Sequence, residues 1–565
     1  MTSPPRADLI IEGRVATLAG TAGWGWAEGL AIAGGRIVGA GSPAELELFA
    51  GDRTERWRLA PDLLVMPGIT DAHVHLLSLA LARLQVDLTA QPDLPSTLTA
   101  LAAAHARLLE NGDADGWLLG HGWSLDRLGA WPDAAMLATA CPGRPVALYS
   151  HDHHTRWVSR RALELAGIDE GTADPADGSL RRDGEGRLTG MLHEGAAALV
   201  EPAIPEPSDE LLEKLLTAQA SELFGFGITG CHDPGELAAS SRIRRGPLFY
   251  RRLAELGRLP LRVHASIRAA ELDHAIELGL RSGVGVGRYR MGWLKLFADG
   301  SLGSRSAALL APYDDAPTRP PTGGPRGMFL DPPAEIAALL ARAAAAGISG
   351  QVHAIGDAAV RAVLDVLAVT PPGPLPARIE HAQLVDPADV ARFGALGVAA
   401  SVQPVHLRSD AEVQRLAWGA RSESSFPLVG LVSGGALIPF GTDAPVEPVD
   451  PWPGLAVAVS RRDPLRPDAR PTAPEQALDL ARAVRAACLD PALVAQQHDL
   501  GRLLPGCRAD LIVVPAAGLR EPVDPLELAR TRPLATLIEG EVVFRAAGFD
   551  PLAPTSAAAP APTLG

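Results

Sequence analysis

Met66-Pro67-Gly68-Ile69-Thr70-Asp71-Ala72-His73-Val74-His75-Leu76 runs from apolar residues through a glycine into two histidines two positions apart. On a strand, alternate side chains share a face, so His73 and His75 point the same way. Two neutral imidazoles converging at a strand end can hold one divalent ion, typically zinc. The plainer reading is a pair of polar residues leaving a buried strand, and the rest of the chain has to decide.

Lysine usage gives the second sign. The chain carries 51 Lys plus Arg, and only Lys214 and Lys295 are lysine. Lys295 lies in Gly292-Trp293-Leu294-Lys295-Leu296-Phe297-Ala298-Asp299-Gly300, where the apolar flanks predict a core strand and an unpaired ammonium is costly. Burial lowers a lysine pKa and leaves a nucleophilic amine, which arginine cannot offer. Such an amine can take up carbon dioxide and become a carbamate able to bridge two metal ions. A buried ion pair is the alternative.

Three more apolar segments end in a potential ligand. Val352-His353 offers His353, Ile379-Glu380-His381 offers His381, and Phe440-Gly441-Thr442-Asp443 offers Asp443. Each alone reads as a polar residue at a strand end. Together, in the order His-X-His, Lys, His, His, Asp, they suit a two-metal site with one catalytic carboxylate.

These segments resemble the amidohydrolase superfamily, in the metal-dependent hydrolase branch that contains N-substituted formamide deformylase (amidohydrolase family 3). The resemblance covers nearly the whole chain: MPGITDAHVHL, KLFADGSLGSRSAALLAPY, VHAIGDAAV, RIEHAQLV, ASVQPVH, FGTDAPVEPVDPW and GRLLPGCRADLIVV. It implies that His73 and His75 hold one metal, that carbamylated Lys295 bridges both, and that His353 and His381 hold the second. It also implies that Asp443 lies beside the metal-bound water; zinc is the expected ion.

Composition agrees. An apolar fraction of 47% can fill a large core, and a net charge of −15 argues against nucleic acid or an anionic membrane as partner. Cys141, Cys231, Cys488 and Cys507 form no close pair, which suits a reducing compartment. The first residues lack a signal-peptide core and no uncharged run reaches membrane-spanning length, so a cytoplasmic location is expected. Self-association is left open, a homo-oligomer included.

Between β-rich ends, strand-like runs alternate with Ala- and Leu-rich helical stretches, the pattern of a parallel α/β fold. Candidate strands near 64–70, 226–232, 261–266, 291–297, 349–353, 377–381, 397–403 and 435–442 number eight, the count of a (β/α)8 TIM-like barrel with its site at the C-terminal strand ends. Residues 66–499 would form this barrel. Residues 1–65 and 500–547 both read as short strands, and the resemblance implies that they join as a small composite β-sandwich. Residues 548–565 read as a disordered tail.

The interval 78–225 is too long for one crossover and predicts an inserted subdomain after strand one. It is rich in Trp and His, which either cover a pocket or build the insertion's own core. Trp123 and His154 within it, and Arg305 beyond Lys295, are candidate substrate contacts; Arg305 could equally pair with an acid on the surface. His151-Asp152-His153-His154 is set aside as a third metal site, because adjacent turn residues rarely converge. His232-Asp233, at the end of candidate strand two, reads as a structural hydrogen-bonding pair.

The expected activity is hydrolysis of a C–N bond, amide or formamide-like, in a small uncharged molecule. The expected cofactors are two divalent ions and carbon dioxide as the Lys295 carbamate. A deaminase, an ester or lactone hydrolase on the same barrel, and a metal-free binding or regulatory relative are the rivals. The intact Lys295 argues against the first, and the full ligand set against the last.

Overall fold

The computed structural model describes residues 5–21, 23–150, 155–175, 178–235, 246–315, 324–466 and 468–551. His151, His153 and His154 lie outside them, as do residues 552–565 of the expected tail. The chain divides into two compact units, one of them Leu77–Leu216 with residues 236–245, and the other the remainder.

The larger unit is a mixed α/β fold around a parallel sheet. Its strands are β1 (Ile69–Asp71), β2 (Ile228–Asp233), β3 (Arg262–Arg268), β4 (Tyr289–Phe297), β5 (Gly350–Ala354), β6 (Arg378–His381) and β7 (Ala399–Ser401). They pair in sequence order, each parallel to the next. Parallel neighbours need a crossover. Helices Gly246–Glu255, Leu272–Glu277, Pro333–Ala345, Asp357–Val369 and Pro387–Leu396 lie in the successive connections from β2 to β7. Burial on both faces explains why these strands read as apolar runs; β2 and β6 are buried at every position. Among the described residues, no helix is long and apolar enough to cross a membrane.

The expected eighth strand is an extended segment with sparse pairing. On one side, Ala400 N–H donates to Leu437 O at 2.9 Å, Val402 N–H to Pro439 O at 3.1 Å and Gly441 N–H to Val402 O at 3.1 Å. On the other, Ala72 N–H donates to Phe440 O at 2.9 Å and Asp443 N–H to His73 O at 2.7 Å. Pro439 offers no N–H, which interrupts a regular ladder. Gly441 permits the close approach, since a Cβ there would meet His73 N at 2.5 Å.

The expected first strand, 64–70, is two strands parted at Gly68. Leu63–Pro67 pairs antiparallel with Leu511–Pro515, whereas β1 pairs with β2. A Cβ on Gly68 would collide with the Thr229 side chain at 2.4 Å. Leu63–Pro67 thereby belongs to a second eight-stranded sheet, in the order Glu541–Arg545, Ala535–Ile538, Leu511–Pro515, Leu63–Pro67, Leu9–Ala16, Trp26–Ala33, Arg36–Ala40, with Glu55–Arg58 beside Leu9–Ala16. Alternation along Leu9–Ala16 sends Leu9 and Ile11 into one core with Trp57, Val65 and Leu511, and Ile10 into another with Ala31 and Leu46. Arg262 of β3 makes two buried bonds to Asp510, the residue before Leu511–Pro515, at 2.6 and 3.0 Å.

The smaller unit has its own six-stranded sheet, Gly178–Arg182, Leu188–Glu194, Thr155–Val158, Val146–Ser150, Leu118–Trp123 and Val86–Asp87 in spatial order. Helix Leu94–Glu110 contributes Leu101 to its core, with Trp123, Leu148 and Trp157.

Candidate metal centre

His73 and His75 follow directly on β1, and each Nδ1 has an acceptor. His75 Nδ1 donates to Gly235 O at 2.5 Å, and His73 Nδ1 to the Glu380 carboxylate. The proton is therefore held on Nδ1 in both rings, and Nε2 is left to offer a lone pair. Both Nε2 atoms converge on one oxygen, Asp443 Oδ1, each at 3.3 Å.

The loops that carry these groups are fastened by Asp71, a buried carboxylate that the sequence reading overlooked. It accepts from His73 N–H at 3.1 Å, Thr442 N–H at 3.0 Å and the Thr442 hydroxyl at 2.6 Å. Burial pushes its pKa up to about 7 against those hydrogen bonds. Asp443 itself stands at φ 63°, and His381 and Ala382 at φ 72° and 42°. Left-handed backbone is costly for residues with a Cβ, and here it sits at the residues that face the centre.

The other oxygen of Asp443 faces a different partner. His406 Nε2 lies 3.2 Å from Asp443 Oδ2, and its Nδ1 lies 3.7 Å from Glu447 Oε1. Burial opposes charge on His406, yet the bonds to Asp443 and Glu447 raise its pKa to about 10. Burial would also raise the Asp443 carboxyl, but the hydrogen bond from His406 holds it well below the usual range. His406 was not among the expected site residues. A metal ligand presents a lone pair, so an imidazolium between two carboxylates acts here as Asp443's charge partner.

Histidines 381 and 353 end β6 and lie on β5, with ring centroids 4.5 Å apart. His353 Nε2 is 3.2 Å from Gly300 O and 3.6 Å from Asp299 Oδ1. His381 Nδ1 is buried and makes no hydrogen bond. Lys295 on β4 is buried, with Nζ 4.8 Å from the Phe297 ring centre. Burial lowers its pKa to about 8, against attraction from Glu380 and Asp443, so a substantial neutral fraction exists at mildly basic pH.

The ligand atoms of His73, His75 and Asp443 lie within 4.8 Å of one another, as do those of His381, His406 and Asp443. Among the described residues, His73, His75, His381 and Asp443 of the expected ligands thus fall within two trios that share Asp443, and His353 packs edge-on against His381. The donor set suits a divalent ion. Burial drives the pKa of His73 down to about 4, that of His353 to about 3 and that of His381 well below normal. Neutral, already desolvated imidazoles around a carboxylate are what such an ion requires.

Two of the expected substrate contacts have partners of their own. Trp123 is a core residue of the smaller unit: its indole N–H donates to Leu148 O at 3.0 Å and its ring meets Trp157 edge-on. Arg305 is buried, not on the surface, and bonds Asp315 at 2.6 and 3.0 Å and Leu302 O at 2.8 Å. It pairs with an acid, as the second reading has it, but inside the fold and not on the surface. His154 lies outside the described residues. Asp233 accepts from the Tyr250 hydroxyl at 2.6 Å and Gly235 N–H at 2.8 Å, a structural role.

The model of the amidohydrolase family matches residues 60–544. The chain belongs to that family. YtcJ of Bacillus subtilis, a protein named as an amidohydrolase, is 30% identical over 525 residues, covering 92% of this chain and 96% of its own. N-substituted formamide deformylase of Arthrobacter pascens is 26% identical over 548 residues, 92% of this chain and 96% of that protein. Among solved structures, a metal-dependent hydrolase of Pyrococcus horikoshii without assigned function superposes with a TM-score of 0.75 at 27% identity, over 94% of this amidohydrolase and 99% of its own chain.

Proposed function

We propose that this amidohydrolase cleaves the C–N bond of a small, partly apolar, uncharged amide, with N-substituted formamides the first class to examine. The observation that carries the reading is Asp443, whose one oxygen faces His73 and His75 while the other faces His406. The likeness to a formamide deformylase along 92% of the chain supports the choice of substrate class. In this reading segment 437–443 closes an eight-stranded barrel, and the protein works on soluble substrates in the cytoplasm.

His73, His75, His353, His381 and a Lys295 carbamate would hold two zinc-like ions, which supply Lewis acidity to the substrate carbonyl and lower the pKa of a water. Asp443 accepts a proton from the attacking water and returns it to the leaving nitrogen. His406 keeps Asp443 ionised and oriented between these transfers. Buried Asp71 holds the His73 and Thr442 backbones, and so fixes the distance between imidazoles and carboxylate.

Metal content by mass spectrometry, on protein made with bicarbonate and purified without chelator, tests this. Two ions per chain, with turnover of an N-substituted formamide, is the expected result. One ion would redirect attention to deamination. None after reconstitution would overturn the mechanism.

A further inference from the structure

Arg378 on β6 is fully buried, and its guanidinium reaches five parts of the parallel sheet. It donates through Nη2 to Ala72 O at 2.7 Å, just past β1, and to Ser401 Oγ of β7 at 2.8 Å. Nη1 donates to His232 Nδ1 of β2 at 2.8 Å, and the guanidinium stacks 4.6 Å from the ring centre of Trp293 on β4. Nε and Nη2 grip Glu380 of its own strand at 2.9 and 3.2 Å. A bidentate arginine–carboxylate pair has directional geometry that lysine cannot copy.

Glu380 is equally buried, and the pair alone would satisfy its charge. Yet Oε2 also takes the proton of His73 Nδ1. The two imidazoles of the His-X-His pair therefore differ: His75 leans on a neutral carbonyl, His73 on an anchored carboxylate. An anionic acceptor makes an imidazole the more basic donor and fixes its ring.

We propose that Arg378 and Glu380 are a positioning pair for a divalent ion at His73: Arg378, tied to the sheet from inside, orients Glu380, and Glu380 holds the His73 proton on Nδ1 so that Nε2 faces the ion. This rests on the metal-centre reading given above.

The test is zinc affinity by competition with a chromophoric chelator, with the visible spectrum of the cobalt(II)-loaded protein as second readout. In Glu380→Gln, the site at His73 should weaken by about 10–100-fold and the cobalt band should change, with far-UV circular dichroism native. Arg378→Lys keeps the charge but breaks the fork, and should weaken zinc less; it also serves if Glu380→Gln does not fold. Ser401→Ala removes one anchor and leaves the Glu380–His73 bond, so it should bind zinc as the wild type does. Wild-type affinity and cobalt spectrum in folded Glu380→Gln would overturn the proposal, as would losses in all three variants that merely track melting temperature. If the wild type takes up no zinc, the metal reading fails and this inference with it, a result distinct from failure in the variants alone.

Discussion

The seven parallel strands β1–β7 and the sheet drawn from both ends of the chain both bury apolar side chains, but they differ in the charged groups buried among them. The end sheet packs Leu9, Ile11, Val15, Ile32, Trp57, Val65, Leu511 and Val513 into one apolar core. The parallel sheet buries Lys295, Arg378, Glu380 and His381 on its own strands, with His73 and Asp443 beside it. Buried apolar area stabilises, whereas buried charge costs desolvation unless it is paired and hydrogen-bonded. The buried charges of the proposed site thus belong to the parallel sheet, and the contrast can be tested from either side.

The largest effect belongs to Asp443→Asn. Turnover of a formamide substrate should fall about 10²–10⁴-fold, while the melting temperature stays near that of the wild type; near-normal turnover would remove Asp443 from its role. Trp57→Ala probes the opposite sheet, where Trp57 is fully buried and meets Phe549 edge-on. It should lower the unfolding free energy by about 3–5 kcal/mol, read by urea denaturation, with kcat of the folded fraction unchanged. A matching loss of kcat would show that the sheets are not independent.

The pH dependence sharpens the same contrast. Burial lowers His73 to about 4 and His353 to about 3, so in metal-free protein both stay neutral where the unfolded chain takes up protons. These two imidazoles then bind fewer protons folded than unfolded, and their contribution to stability is lost as the pH falls from about 6.5 towards 4, up to about 1.4 kcal/mol per pH unit for each. Urea midpoints of chelator-treated wild type and His353→Gln across that range would show it as a shallower loss in the variant; equal slopes would mean that this imidazole is solvated. Smallest is Ile11→Val in the end sheet, at about 0.5–1.5 kcal/mol with unchanged kcat. A larger loss would mean the apolar core is less able to relax than its composition suggests.

His73 and His75 were legible because two-residue spacing at a strand end has a geometric meaning, and Lys295 because lysine is nearly missing from the chain. His406 and Glu380 carry no such signal. Their partners, Asp443 and Arg378 with His73, are brought to them by the fold, and no sequence period marks the meeting. Trp123 shows the converse: an aromatic residue reads alike whether it lines a pocket or fills a core. The parallel strands were visible as apolar runs, but the parting at Gly68 was not, because 64–70 reads as one run through Pro67-Gly68 and only the fold gives its two halves different neighbours.

That parting has a kinetic consequence. Leu63–Pro67 cannot complete its pairing until Leu511–Pro515 has been synthesised, and β1 with His73 and His75 begins two residues beyond it. Contacts this distant in sequence form slowly, because a long loop must close first. The earliest-made histidines of the centre should therefore be among the last groups to reach their final positions, and refolding should regain secondary structure before it regains a site able to bind metal.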